Sequence, residues 1–378
     1  MIYLDAASTT QPKQEVIEAM MPYFTEKWYN PSALYSKSNK VKEDIENARK
    51  TIGDFINANS NEIFFTSSGS ESNCWAIQGF INHCRRKGKE PTIITSVIEH
   101  KSIMACVDNM NVDVHYVGVD NEGFINIDSL TGILNYVQNE QNKILVSVQF
   151  ANNEIGTIQH IKEIAELVHK YNGVFHTDAV QAFGQIPIDV KELDVDMLSA
   201  SGHKIYSPKG IAILYKKHDI EIDPLIYGSQ MDGLHGGTEN TAYIIGMAKA
   251  VELIGNNIKP QMKLTIIRNN FITELKSIGC KVNGALDQRL PNNINIVLPQ
   301  NDAGKSLVYL LDMCGIMIST GSACNSRAIE PSYVLKSIGL SNEEAARTIR
   351  ITLSEDTTMD DVNSFMSELK KQIELLSM

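Results

Sequence analysis

The six cysteines of this 378-residue chain, at positions 74, 84, 106, 280, 314 and 324, include no C-x-x-C pair. A structural zinc site, which is usually built on such pairs, has little support. The chain also lacks an apolar run approaching the roughly 20 residues that cross a bilayer. Its first residues, Met1-Ile2-Tyr3-Leu4-Asp5, carry neither the basic nor the long apolar region of a secretory signal. A cytoplasmic protein without membrane segments is expected, its cysteines mostly free thiols in a reducing compartment. Basic residues are in deficit, 34 Lys and Arg against 45 Asp and Glu, for a net charge of -11. That balance disfavours direct contact with nucleic acid or an anionic membrane. No G-x-G-x-x-G follows a strand-like segment and no G-x-x-x-x-G-K-[ST] occurs, which disfavours dinucleotide and P-loop chemistry. Internal repeats and low-complexity tracts are absent as well.

What is present reads as a globular α/β protein. Apolar residues make up 43% and charged residues 21%, ordinary for a folded soluble chain. The length exceeds what one small core usually holds, so two domains are expected. Strand and helix signals alternate through the middle of the chain, which predicts a largely parallel sheet. Strands are expected at 62–66, 92–96, 143–148, 174–177, 196–199 and 210–215, and helices at 71–84 and 161–171. From about residue 255 the texture changes. A long helix over 261–278 is followed by short strands at 294–297 and 316–319 and by helices at 332–338 and 359–376, Pro331 sitting in the first turn of the former. The expected division is a large α/β domain over 12–250 and a smaller α+β domain formed by 1–11 and 251–378.

Open α/β sheets bind ligands beyond the carboxyl ends of their strands. Collecting the polar residues there gives Ser67-Ser68-Gly69-Ser70 entering a helix, Glu99-His100, Asn152-Asn153-Glu154, Asp178 with Gln181, and Ser201-Gly202-His203-Lys204. These supply an anion cradle at a helix N-terminus, an imidazole, amides, a carboxylate and a lysine. Singly, each has an ordinary reading: Lys204 as a solvated charge, Asp178 as a helix cap, His100 as a polar loop residue. Together they suit pyridoxal phosphate, which needs a lysine for its Schiff base, a carboxylate facing the ring nitrogen and a phosphate site.

The motifs then become recognisable. Tyr3-Leu4-Asp5-Ala6-Ala7, Asn30-Pro31-Ser32, Glu99-His100-Lys101, Asn152-Asn153-Glu154-Ile155-Gly156, His176-Thr177-Asp178-Ala179-Val180-Gln181, Ser201-Gly202-His203-Lys204, Gly321-Ser322-Ala323-Cys324 and Glu330-Pro331-Ser332-Tyr333 run nearly end to end. On these the chain resembles the cysteine desulfurases, the NifS/IscS-like branch of the class V aminotransferase group. The resemblance implies the pyridoxal-phosphate transferase fold of type I and a homodimer. It implies that Lys204 carries the cofactor and moves protons, that Asp178 keeps the ring nitrogen protonated, and that His100 stacks on the ring and serves acid–base steps, including as base for the thiol. Gln181 and Asn153 would contact the ring oxygen and the substrate. Gly69, Ser70, Ser201 and His203 would hold the phosphate, completed by Thr238 from the other subunit. Arg350 would grip the carboxylate of L-cysteine. Cys324, in a small polar loop, would take the sulfur as a persulfide and pass it to an acceptor protein, leaving L-alanine.

Three departures stand out. His235 occupies the place of an arginine common in relatives, Ser354 that of a glycine, and the chain closes at Met378, on a helix, where relatives often have a tail that docks an iron–sulfur scaffold. The acceptor stays open between iron–sulfur assembly and tRNA or DNA thiolation. A selenocysteine lyase or another class V aminotransferase is the alternative. A non-catalytic sulfur relay is disfavoured by the presence of Lys204, Asp178 and Cys324 together.

Overall fold

The computed structural model describes residues 1–138, 142–255, 259–299, 304–320 and 331–376. Its strands are β1 (Ile2–Tyr3), β2 (Ile63–Thr66), β3 (Glu90–Ser96), β4 (Asp113–Val117), β5 (Asn142–Ser147), β6 (Val174–Asp178), β7 (Met197–Ser201), β8 (Ala212–Lys216), β9 (Lys281–Val282), β10 (Asn293–Val297), β11 (Ile316–Met317), β12 (Ser319–Thr320) and β13 (Thr348–Thr352). Seven of them form one sheet in the order β2-β8-β7-β6-β5-β3-β4. All run parallel except β8, which is antiparallel to both its neighbours.

The period-2 alternation of a strand sorts its side chains onto two faces. Phe65, Ile94, Val146, Leu198 and Ile213 join one apolar cluster, together with helices Ser36–Phe55, Ile161–Lys170 and Thr241–Ile254. Their neighbours Phe64, Ile93, Leu145, Met197 and Leu214 join another, under helices Gly69–Arg86 and Lys101–Asp108. Covering both faces is what a parallel sheet requires. The predicted strands and helices of this region are all present, with ends shifted by a few residues. The helix Ser36–Phe55 and the edge strand β4 are additional to the sequence reading.

A separate core gathers Leu4 with residues from Leu264 to Leu369. It lies on the antiparallel sheet β12-β13-β10-β9 and the parallel pair β1-β11. The predicted single strand 316–319 is divided here. β11 pairs with β1 near the N-terminus, whereas β12 pairs with β13, so Ile318 is the point where the chain changes partner. Pro331 is also displaced from its expected place. Ser332 is the N-cap of helix Tyr333–Ser337, its hydroxyl accepting from the N–H groups of Val334 and Leu335, so Pro331 lies outside the helix. A capping hydroxyl satisfies donors that a first-turn proline would only have deleted. Ile98, Ile155, Val297, Val334 and Leu335 form a small apolar cluster that joins sheet-end loops to this second core.

Phe271 and Phe365 meet edge to face in the second core with ring centroids 5.1 Å apart, both fully buried. Phe271→Ala is expected to cost about 3–5 kcal/mol through the cavity it leaves, read as a lower midpoint of urea unfolding.

Candidate active site

Just beyond the carboxyl ends of the parallel strands lies a cavity of about 400 Å³. Its wall brings together Gly69, Ser70, His100, Asn153, Asp178, Gln181, Ser201, His203, Lys204 and Arg350. Two predicted site residues are not among them. Thr238 is exposed and does not line this cavity. Cys324, with the whole of 321–330, falls outside the described residues. A larger cavity, about 620 Å³, lies between the N-terminal segment and Ser354–Thr357 and holds none of the predicted set. Chemistry, not size, therefore selects the smaller one.

The supporting contacts show how each side chain is aimed. Asp178 closes β6; its Oδ1 accepts from Val180 N at 2.9 Å and its Oδ2 from Asn73 Nδ2 at 2.8 Å. Asn73 Nδ2 also reaches Ser102 Oγ, 2.9 Å away. His100 caps the helix Lys101–Asp108: its Nδ1 accepts from Ser102 N at 3.1 Å. An accepting Nδ1 leaves Nε2 as the nitrogen that carries the proton. Lys204 follows β7 in a short 3-10 turn, and its Nζ donates to the carbonyls of Ala7 and Ser8. Gln181 Nε2 donates to Ala7 O as well, at 3.1 Å. Burial, with Lys204 and Lys209 nearby, lowers the pKa of His203 to about 4, so its imidazole is neutral near pH 7.

Arg350, on β13, is 1% exposed. Its Nη1 donates to Asn153 O at 3.0 Å, and its Nη2 to Asp5 Oδ1 at 2.7 Å and Ser8 Oγ at 2.9 Å. Two buried carboxyls flank the site. Burial pushes Glu99 up to about 8 and Glu154 up to about 7, the latter in spite of Ser332, Arg350, Lys101 and His100 around it. Sequence reasoning missed Asn73, Ser102, Ser8 and the anchoring role of Asp5. Asn73 sits one helical turn beyond Gly69 and Ser102 two residues beyond His100, and this spacing from the predicted residues was the available signal.

The departure at His235 has a local answer. His235 Nε2 bonds Glu71 Oε1 at 2.7 Å, and its ring lies 5.3 Å from that of Trp75. That bond leads the contacts holding the Glu71 pKa down at about 2. Glu71 is in the first turn of the helix whose N-terminus carries Gly69 and Ser70. An imidazole thus braces the cradle from the loop that also bears Thr238.

The residues fit pyridoxal phosphate on structural grounds. Asp178 is 6% exposed and has no ion-pair partner among the described residues, so a cationic ring nitrogen would complete it. A Cβ on Gly69 would come within 2.7 Å of Val180 Cγ2, so the helix start leaves no room for a side chain at the cradle. The fold and site define a pyridoxal-phosphate-dependent enzyme. The chain belongs to the aminotransferase class-V family, whose model matches residues 2–365. It is 45% identical to a cysteine desulfurase IscS of Clostridium botulinum, over 98% of this chain and 94% of that one. Among solved structures it is similar to a NifS-like protein, with a TM-score of 0.90, 31% identity, and 99% and 100% of the two chains covered. It is also similar to SspA in complex with cysteine, with a TM-score of 0.82, 34% identity, and 95% and 100% covered. Among the described residues no helix is long and apolar enough to cross a membrane, and no group of His, Cys, Asp or Glu is arranged to hold a metal ion.

Glu99 yields a pH prediction. Its carboxyl rises from an ordinary 4.5 to about 8 in the fold, so the unfolded chain releases this proton first. Stability is lost as pH climbs through that window and levels off above it. Glu99→Gln removes the linkage. The melting temperature of the native protein relative to this variant is expected to fall steadily between pH 4.5 and 8; a pH-independent difference would contradict the assignment.

Proposed function

We propose that the protein is a cysteine desulfurase that removes sulfur from L-cysteine onto Cys324, releases L-alanine and hands the sulfur to an acceptor protein. The observation that carries this reading is one cavity joining a lysine, a buried carboxylate, an imidazole and a buried arginine, in a chain that shares 45% of its residues with a cysteine desulfurase.

Pyridoxal phosphate, when bound, supplies the electron sink that lets the Cα–H bond of the amino acid break. The helix start at Gly69 and Ser70, with Ser201 and the neutral His203, would hold its phosphate. Asp178, oriented by Asn73 and Val180, would keep the ring nitrogen protonated. Arg350 receives the substrate carboxylate, and Asn153 lies beside it with its carbonyl already on Nη1. Lys204 Nζ leaves the Ala7 and Ser8 carbonyls to move the Cα proton. The Cys324 thiolate bonds to the substrate sulfur as the bond from that sulfur to Cβ breaks. Protons then complete the L-alanine methyl group. His100, its ring oriented by the Ser102 N–H bond to Nδ1, would serve the acid–base steps of the cycle.

The working unit is a homodimer. Supporting this, Thr238 stands away from its own cavity, and Phe24, Trp28, Leu34 and Tyr35 are 54, 66, 97 and 53% exposed. An exposed apolar group of that kind marks a contact surface. We infer a large domain over 12–250 and a small domain over 1–11 and 251–378; the separate core from Leu4 and Leu264 to Leu369 supports the division, although Val251 and Leu290 pack in the first core, and the cavity is lined from both parts.

The test is to supply the holoenzyme with L-cysteine and a reductant and to measure alanine and sulfide together. Equimolar products are expected, falling by roughly two orders of magnitude or more in Cys324→Ala and in Lys204→Ala. Turnover that yields no alanine and survives Cys324→Ala would overturn the persulfide step.

A further inference from the structure

Arg350 is a buried cation whose immediate counter-charge comes from the N-terminal segment. Nη2 spends both its N–H groups there, on Asp5 Oδ1 at 2.7 Å and Ser8 Oγ at 2.9 Å. Nη1 gives one N–H to Asn153 O and keeps a second. The Nε is buried and has no acceptor among the described residues. The arginine side chain is 2% exposed and that of Asp5 19%. A guanidinium removed from water in this way is costly unless a carboxylate accompanies it.

The backbone fixes where that carboxylate stands. β1 pairs with β11, Asp5 bridges to Thr352, and Ala6 N and Ala7 N donate to Thr352 O and Oγ1 at 3.2 and 2.9 Å. Thr352 is two residues beyond Arg350 on β13. The strand that carries the arginine therefore also holds the segment that carries its counter-ion, and the pair is set in register rather than by chance contact. The same segment reaches Lys204 and Gln181 through the Ala7 and Ser8 carbonyls.

We propose that Asp5 is the positioning residue for substrate recognition, fixing the plane of the Arg350 guanidinium and offsetting its charge so that amino acids are selected through their carboxylate. The proposal rests on the reading that Arg350 receives that carboxylate. With Nη2 anchored by Asp5 and Ser8 and Nη1 steadied by Asn153, the guanidinium presents one orientation to the ligand and loses little rotamer freedom on binding. Without the Asp5 charge, the side chain would swing to find another counter-ion, and the incoming carboxylate would have to restore its orientation.

The experiment uses the holoenzyme and the absorbance change of its cofactor on titration with two amines, L-alanine and ethylamine, of which only the first has a carboxylate. Asp5→Asn is expected to weaken L-alanine binding about tenfold or more, the scale of one charge-assisted hydrogen bond, while ethylamine binding is unchanged. The KM for L-cysteine rises in parallel and kcat moves less. Asp5→Glu restores most of the L-alanine affinity. Should Asp5→Asn fail to accumulate as holoenzyme, Asp5→Ser is read in the same way. If Arg350→Lys weakens L-alanine binding and Asp5→Asn does not, the role of Asp5 is overturned while that of Arg350 stands. Equal weakening of both amines by Asp5→Asn also overturns it, as a structural effect. If Arg350→Lys leaves L-alanine binding unchanged, the reading of Arg350 falls first and the proposal with it.

Discussion

A guanidinium with almost no solvent contact must find acceptors from every element around it, and at Arg350 that requirement ties the molecule together. The residue belongs to β13 of the second core. Its acceptors come from the N-terminal segment and from the loop after β5 in the first core. The seam between the two cores is therefore polar at its centre. The apolar cluster of Ile98, Ile155, Val297, Val334 and Leu335 supplies contact elsewhere along it. Removing one partner from such a centre leaves a buried charge uncompensated, which is why the arrangement tolerates little rearrangement.

Burial also decides which groups around the cavity carry charge. Glu99 and Glu154 are shifted toward their protonated forms, and His203 and His176 toward their neutral ones. His176, two residues before Asp178 on β6, sits between Ser147 Oγ of β5 and Ser199 Oγ of β7 at 2.9 Å each and acts as a neutral spacer between the three strands. Glu154 accepts from Ser332 Oγ and so links the Asn153 loop to the cap of helix Tyr333–Ser337. Holding Glu99 and His176 toward their neutral forms weakens their part in the field of the cavity.

Much of this was legible in the sequence because strand and helix signals alternate through the sheet region, the buried strand Asn142–Ser147 carrying a continuous apolar run. Once those strands were located, the polar residues at their ends identified most of the cavity wall. The edge strand Asp113–Val117 was not legible: its Asp, His and Tyr have the partial exposure of a sheet margin and no apolar run. Ser36–Phe55 was missed because its helix is strongly charged and buries only a narrow stripe. The divided strand at Ile318 depends on a partner more than 300 residues away, which no local pattern encodes. Asn73 and Asp5 act through other side chains; the spacing of Asn73 from Gly69 was the one clue to the first, and the partner of Asp5 lies 345 residues away, beyond any local pattern.

The pairing of β1 with β11 and of Asp5 with the strand ending at Thr352 has a consequence for biosynthesis. Residues 2–8 are synthesised more than three hundred residues before their partners on β11 and β13. The seven-stranded sheet can form while synthesis continues, since domains fold as units during translation. The lysine that would hold the cofactor is then already in place, but the segment that roofs it is still unattached. Attachment of that segment to its strand therefore has to wait for β13, so the wall of the site that it forms is among the last parts of the fold to be set.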